Sequence, residues 1–368
     1  MGPKNLLYGI ALGAIGVLIL NAGSNEWSST QDSQQKDGWQ KLDVQQSTLI
    51  RSLGTDRPMV TPVAVQVSTA SQSDAQIKIN DNSADNVGPK IVSGDLRRLL
   101  KQSTQSAKYR PATQRQLADF QKLFLRTLEA TSDGSAGLIP ADLIQQWYDG
   151  GWQVHQCPDD VWVVSELPSQ RSGRGIYAVR QPTGSKSRSN LVLQAPHRFH
   201  DEGSGLITRK LFQEHPIRVA AWNSVHRRQV DLAHCNDHYI NAMTRAMVMF
   251  DRECKIVQLH GFDVGKYASG SHSHIASAKL IISDGTSFPA RDILHTTANL
   301  KSTFGGGSVL LFPDEVAVLG GTQNEQAKLM RNLASHRFLH VEMTRDFRDQ
   351  MTANSEVRQG FFGALGDR

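Results

Sequence analysis

Four side chains able to hold a metal ion crowd one short segment, Pro196-His197-Arg198-Phe199-His200-Asp201-Glu202. Imidazole and carboxylate are the ligand types of a catalytic zinc site that keeps one position open. His197 and Glu202 are the leading pair of ligands, with His200 and Asp201 as alternates. The competing reading is a polar surface loop that happens to hold two histidines. The distribution of histidine favours the metal: of thirteen histidines, only His155 precedes residue 197. His226 and His260 each close an apolar run. Gly261 permits close backbone approach just past the second, and His260 is the expected third ligand. His215, His238, His295 and His336 read as surface residues. His272 and His274, in a Gly/Ser-rich turn, read as exposed.

A hydrolytic zinc site also needs a carboxylate base that is not itself a ligand. Glu342 fits, because it interrupts the otherwise apolar run 338–343, whose other polar member is His340. Strand period 2 puts His340 and Glu342 on one face. The alternative is a structural carboxylate paired to Arg345 or Arg348. Those two arginines, three apart, could share a helix face and hold a substrate carboxylate through a guanidinium fork, or form surface ion pairs. Cys235 adjoins His234, but neighbours in sequence seldom point at each other, so a thiol nucleophile is set aside. The turn Leu319-Gly320-Gly321-Thr322-Gln323-Asn324 opens a helix, and reads as a plain turn rather than an anion site.

The elements that must position these groups follow from periodicity. Strands are expected at 161–167, 176–180, 191–194, 219–225, 256–259, 278–283, 308–312 and 338–343. Helices are expected near 205–214, 237–249 and 323–335, preceded by helices at 95–100, 113–128 and 140–147. Strands separated by helices specify an α/β fold: a mixed, largely parallel sheet flanked by helices. In such a fold, ligands gather at the carboxyl ends of strands.

The whole chain bounds its partners. It has 368 residues, with 40 Lys and Arg against 35 Asp and Glu. No dense basic run or nucleic-acid motif is present, which argues against a nucleic-acid partner. Cys157, Cys235 and Cys254 leave room for one disulfide and exclude a disulfide framework. Residues 6–23 are an uncharged run of bilayer-spanning length. The expectation is an uncleaved membrane anchor, with a cleaved signal peptide and secretion as the alternative. Lys4 on the short side places the remainder outside the cytoplasm, periplasmic or extracellular. Residues 24–92 are polar and poor in apolar side chains, as in a disordered linker. Residues 93–150 read as a helical segment packing on a catalytic domain at 151–368.

The order of the motifs resembles zinc-dependent amidohydrolases with a carboxypeptidase-like core, close to poly-γ-glutamate hydrolases and N-formylglutamate amidohydrolases. The likeness covers roughly 190–350. It implies a strand-end His followed by a Glu ligand (His197 and Glu202), a second strand-end His before a small residue (His260-Gly261), and a last strand carrying Glu before basic residues (Glu342, Arg345, Arg348). The chain departs from the pattern in two places. The loop between His197 and Glu202 carries Arg198, His200 and Asp201 in place of glycine-rich filling. The segment Arg227 to His234 is similar to the carboxypeptidases' substrate-binding segment but ends in Ala233-His234 instead of Asn-Arg. The resemblance makes His226 and Arg228 candidate substrate contacts, beside Arg345 and Arg348.

Two functions follow as expectations. One is a membrane-tethered zinc hydrolase cleaving an amide bond in peptide-like, carboxylate-bearing substrates, such as cell-wall or γ-glutamyl peptides. The other is a non-catalytic envelope protein that keeps the fold and binds a ligand.

Overall fold

The computed structural model describes residues 90–103, 108–132, 138–182, 189–267 and 270–366. The anchor expected at 6–23 and nearly all of the linker expected at 24–92 lie outside these residues. Among the described residues, no helix is long and apolar enough to cross a membrane.

The strands are β1 (Val92–Ser93), β2 (Trp152–Cys157), β3 (Val161–Glu166), β4 (Ile176–Arg180), β5 (Leu191–Ala195), β6 (Val219–Trp222), β7 (Lys255–Gly261), β8 (Leu280–Ser283), β9 (Val309–Leu311) and β10 (Phe338–Met343). They form one sheet in the order β1-β2-β3-β4-β6-β5-β7-β10-β8-β9. The sheet is mixed. The run β6-β5-β7-β10 is parallel, as are β1–β2 and β8–β9. The pairs β2–β3, β3–β4, β4–β6 and β8–β10 are antiparallel. β2 was not expected. Its alternation is masked by Trp152, His155 and Cys157, all buried beside polar neighbours.

From β5 the chain passes to β6 on one side and then to β7 on the other. That reversal is a topological switch point, where an open α/β sheet leaves a crevice beyond its carboxyl ends. Because β5, β7 and β10 are adjacent and parallel, their carboxyl ends open at one edge. His197, His260 and Glu342 stand at those three ends.

The two faces of the sheet differ. On one, Leu191, Leu193, Val257, Leu259, Leu339, Val341 and Met343 form a continuous apolar layer. It is covered by α1 (Leu96–Gln102), α4 (Ser204–Glu214), α6 (Arg291–Phe304), α8 (Arg345–Ala353) and α9 (Ser355–Ala364). The opposite face of β5, β7 and β10 carries Gln194, Gln258, His260, His340 and Glu342, all buried. Toward β2–β4, that second face is sealed by aromatic rings from α2 (Gln114–Ala130), α3 (Ala141–Asp149) and α5 (Tyr239–Phe250). Phe120 packs within 5.7 Å of the rings of Phe124, Trp147, Trp152, Tyr177 and Tyr239. The last cover over this face is α7 (Glu325–Asn332), which contacts α5 and β10. The helices of 93–150 thus pack on the same sheet, to which residues 92–93 add a strand.

His238 is a correction to the surface reading. It is 2% exposed and caps α5: its Nδ1 accepts from the Ile240 amide at 3.1 Å, and its Nε2 donates to the Gly173 carbonyl at 2.9 Å. Only the neutral ring makes both bonds at once, since Nδ1 cannot accept once protonated. His215 is likewise buried, stacked on Phe362 with centroids 4.2 Å apart. Burial lowers the pKa of His238 to about 4, despite the Gly173 carbonyl that favours its charge. The unfolded chain therefore binds a proton at this site first as pH falls. Stability contributed by neutral His238 should be complete above about pH 6.5 and be lost as pH falls toward about 4. Thermal melts across that window should show a flatter decline for His238→Asn, which retains a capping oxygen but does not titrate. An unchanged slope would locate the acid sensitivity elsewhere.

Candidate metal centre

β5 ends at Ala195, and the chain turns through 196–201 before α4 begins. Within this turn the His197 carbonyl accepts the amides of His200 and Asp201, at 2.7 and 2.8 Å. The tight winding brings the Asp201 side chain back beside His197, one helical turn away in spacing. β7 delivers His260 from the neighbouring strand. The three meet in a buried cluster: His197 is 2% exposed, Asp201 4% and His260 3%.

Their facing atoms are the Nδ1 of each histidine and Oδ2 of Asp201. Nδ1 to Nδ1 is 3.1 Å, His197 Nδ1 to Oδ2 is 3.5 Å and His260 Nδ1 to Oδ2 is 3.3 Å. Tetrahedral zinc with bonds of about 2.0–2.1 Å requires ligand–ligand edges of about 3.3–3.4 Å, and the observed triangle matches. Asp201 Oδ2 is buried without a hydrogen-bond partner, which is costly unless a cation satisfies it. The outer nitrogens are engaged away from the cluster. His197 Nε2 lies 2.7 Å from Asp231 Oδ1, and His260 Nε2 lies 2.8 Å from Gln258 Oε1. Both partners are acceptors, so each ring donates outward through Nε2 and turns an Nδ1 lone pair inward. These three residues fit a zinc ion with one open position.

The electrostatics agree. Burial and the two adjacent imidazoles act in opposite directions on Asp201, and the imidazoles win, holding its carboxyl below the usual range. Burial lowers the pKa of His197, but Asp201 and Asp231 outweigh it and leave the ring raised. Burial lowers the pKa of His260, only partly offset by Asp201. Carboxylates thus favour one positive charge at the centre of the cluster.

Glu342 pairs in register with His260 across β7–β10, so both face the same side. Nitrogen and oxygen atoms of His260, His340 and Glu342 lie within 4.8 Å of one another. Glu342 Oε1 is 3.7 Å from His340 Nε2, and its Oε2 has no partner. Burial, reinforced by the negative Asp201, drives the Glu342 pKa well above the usual carboxylate value. His340 packs on Gly321, where φ is 60° and a Cβ would come within 2.9 Å of the ring. Burial and the neighbouring His260 keep the His340 pKa well below that of a free imidazole.

Glu202, expected as the second ligand, points away from the cluster, whereas Asp201, the alternate, lies within it. Glu202 lies five positions after His197, and the turn carries the longer side chain out to solvent. There it forms a two-point ion pair with Arg345, at 2.6 and 3.1 Å. Arg345 is therefore occupied, and also reaches Asp349 at 3.3 Å. Arg348 does not present a fork to a substrate either. It is buried, its Nε donates to the Glu202 carbonyl at 2.6 Å, and its Nη1 donates to the Met343 carbonyl. A Cβ at residue 261 would lie 2.2 Å from that Nη1, so glycine there leaves the room Arg348 occupies. Arg348 ties the turn that carries His197 and Asp201 to the end of β10.

Arg228 is exposed, whereas the half-buried Arg227 lies nearer the site. Arg227 grips Asp231 Oδ2 through Nε at 2.9 Å and Nη2 at 2.7 Å, and its charge is felt at His260 and Glu342. His226 is half-buried at the rim, its ring 6.2 Å from that of the exposed His200, which stays outside the cluster. Sequence reading missed Asp231, Arg227 and Gln258. Asp231 follows Arg227 by four residues, a spacing that signals an ion pair, but nothing local ties it to His197. The three cysteines are free thiols. Burial pushes Cys235 up to about 12, and its Sγ donates to Asp237, so it is inert as a nucleophile.

No family model matches the chain, and no curated protein matches it. Several solved structures are similar in outline. The zinc-free apo form of YNDL has 13% identity and a TM-score of 0.31, over 52% of this chain and 90% of that one. The tripeptide-bound cell shape determinant Csd4 of Helicobacter pylori has 12% identity and a TM-score of 0.34, over 53% and 56%. A metallo-carboxypeptidase from Burkholderia cenocepacia has 8% identity and a TM-score of 0.33, over 52% and 61%. At these scores the likeness is one of outline, and the chemistry is carried by the chain's own residues.

Proposed function

We propose that the protein is a zinc-dependent hydrolase of an amide bond in a peptide-like substrate. The observation that carries this reading is the triangle of inward-facing acceptors on His197, Asp201 and His260, spaced as tetrahedral zinc requires. These residues would hold the ion, which when bound polarises a carbonyl and makes water acidic enough to act near neutral pH.

The chain's own groups supply the rest. Glu342 is the proton carrier: a carboxyl buried beside the cluster, with one oxygen unpartnered, can take a proton from water and later release it to the leaving nitrogen. His340 keeps the neutral ring state next to it. Asp231 holds His197 from behind, and Arg227 fixes Asp231. A carboxylate-bearing substrate, such as a cell-wall or γ-glutamyl peptide, is the class that the order of the motifs implies. The uncharged run 6–23 supports action at a membrane, outside the cytoplasm.

Metal analysis of the full chain should find close to one zinc per molecule. Asp201→Asn should weaken zinc binding by about 10-fold or more, comparable to disturbing ligand support elsewhere, while Glu202→Gln should leave it unchanged. The reverse pattern would return the ligand role to Glu202, and absence of zinc from supplemented wild type would end the metal reading in favour of a non-catalytic binding protein.

Glu342→Gln should retain zinc and fold, yet lose turnover by about 10²–10⁴-fold, the contribution of a positioned base. Muropeptides and γ-glutamyl peptides form the substrate screen. Wild-type turnover in this variant would remove Glu342 from the chemistry; loss of zinc would make it a ligand.

A further inference from the structure

Beneath His260 lies a fully buried layer of amide side chains that the proposed chemistry does not use. Gln194, Gln258 and Gln326 are 0% exposed and Asn324 is 1%. Side-chain amides can be turned either way in principle, but here the orientation of each is forced from backbone atoms that have only one role.

One chain of constraint starts at the Leu232 carbonyl, which can only accept. Gln326 Nε2 donates to it at 3.0 Å, so Gln326 Oε1 must be the acceptor on its other side. Gln258 meets that oxygen at 3.0 Å and therefore does so through Nε2. A second chain starts at the Ile240 carbonyl. Thr244 donates its hydroxyl proton there at 2.8 Å, so it accepts from Gln194 Nε2 at 2.9 Å. This leaves Gln194 Oε1 to accept from Gln258 Nε2 at 2.8 Å. A third chain starts at the amides of Gln326 and Ala327, which open α7 and donate to Asn324 Oδ1 at 3.0 and 3.1 Å. Asn324 must then offer its Nδ2 to Gln258 Oε1. Three independent routes agree that Gln258 turns its nitrogen into the layer and its oxygen toward His260.

We infer that Gln258 is a positioning residue which locks His260 in the Nε2–H form and so presents its Nδ1 lone pair to the metal centre. A ring facing Gln258 Oε1 at 2.8 Å must donate through Nε2. The opposite tautomer would set two lone pairs against each other at that distance and place a proton where the ion belongs. His197 is held by a carboxylate, Asp231, whereas His260 is held by a neutral amide. The two ligands are thus fixed in the same sense by partners of different charge. This inference rests on the proposed zinc site for its consequence, but the tautomer itself is a property of the metal-free protein.

The test uses the full chain labelled with ¹⁵N-histidine and stripped with a chelator. Imidazole nitrogen shifts, assigned by comparison with His260→Gln, should show His260 protonated at Nε2 alone. Protonation at Nδ1 in the wild type overturns the inference, whatever zinc does. Gln258→Met, which keeps bulk but removes the acceptor, should mix the two tautomers and weaken zinc binding by about 10–100-fold. Thr244→Val is the control: it breaks the far end of the layer and should lower the melting temperature with the His260 tautomer and zinc affinity unchanged. Equal loss of zinc in Thr244→Val and Gln258→Met would reduce the layer to packing and overturn the positioning role. Should Gln258→Met not fold, the wild-type tautomer still decides. A wild type with the Nε2–H tautomer but no zinc binding would sink the metal reading while leaving the lock in place.

Discussion

Three electron-pair donors, brought together out of contact with water, set the terms for this structure. Each inward atom of His197, Asp201 and His260 would be well solvated at a surface. In the crevice they face one another across 3.1–3.5 Å and share a demand for positive charge. Such a cluster is stable only if its surroundings hold every outer atom in the correct role. Much of the molecule around the crevice does this: Asp231 and Arg227 behind one ring, the amide layer behind the other, and Arg348 across the turn that carries Asp201.

The sheet makes the convergence possible. Parallel β5, β7 and β10 end at one edge, so residues far apart in the chain arrive side by side. The apolar face of these strands packs on the helices of the first layer and supplies cohesion. The other face gives up apolar burial for glutamine, histidine and glutamate, and compensates through internal hydrogen bonds. A half-satisfied polar layer would be worse than an apolar one, so the completeness of this network bears on stability as much as on chemistry. The unpartnered atoms that remain near it, Asp201 Oδ2, His340 Nδ1 and Glu342 Oε2, all border the proposed reaction centre.

The sharpest difference between sequence and structure concerns neighbours. Asp201 and Glu202 are adjacent, of equal charge and equally able to bind metal. Only the winding of the 196–201 turn decides that the first points inward and the second meets Arg345 in solvent. The same holds for Arg227 and Arg228, of which the first faces the site. Arg348, attractive as a substrate clamp, spends its donors on backbone carbonyls. For these pairs, a shift of one residue reverses the direction of the side chain, and no local pattern records the direction in a loop.

What the sequence by itself determined was the set of parts whose signal is local and periodic. Alternation over 338–343 put His340 and Glu342 on one face of a strand. Apolar runs that stop at His197 and His260 marked two of the strand ends, and helix-spaced Leu117, Phe120, Leu123, Phe124 and Leu128 marked the long second helix. Tertiary structure alone decided strand order, and with it which ends share an edge. It also decided that Asp231 and Gln258 stand behind the two histidines. Those contacts join residues such as His197 and Asp231, 34 positions apart. Their partners are selected by packing and by the need to satisfy buried polar atoms, neither of which leaves a periodic trace along the chain.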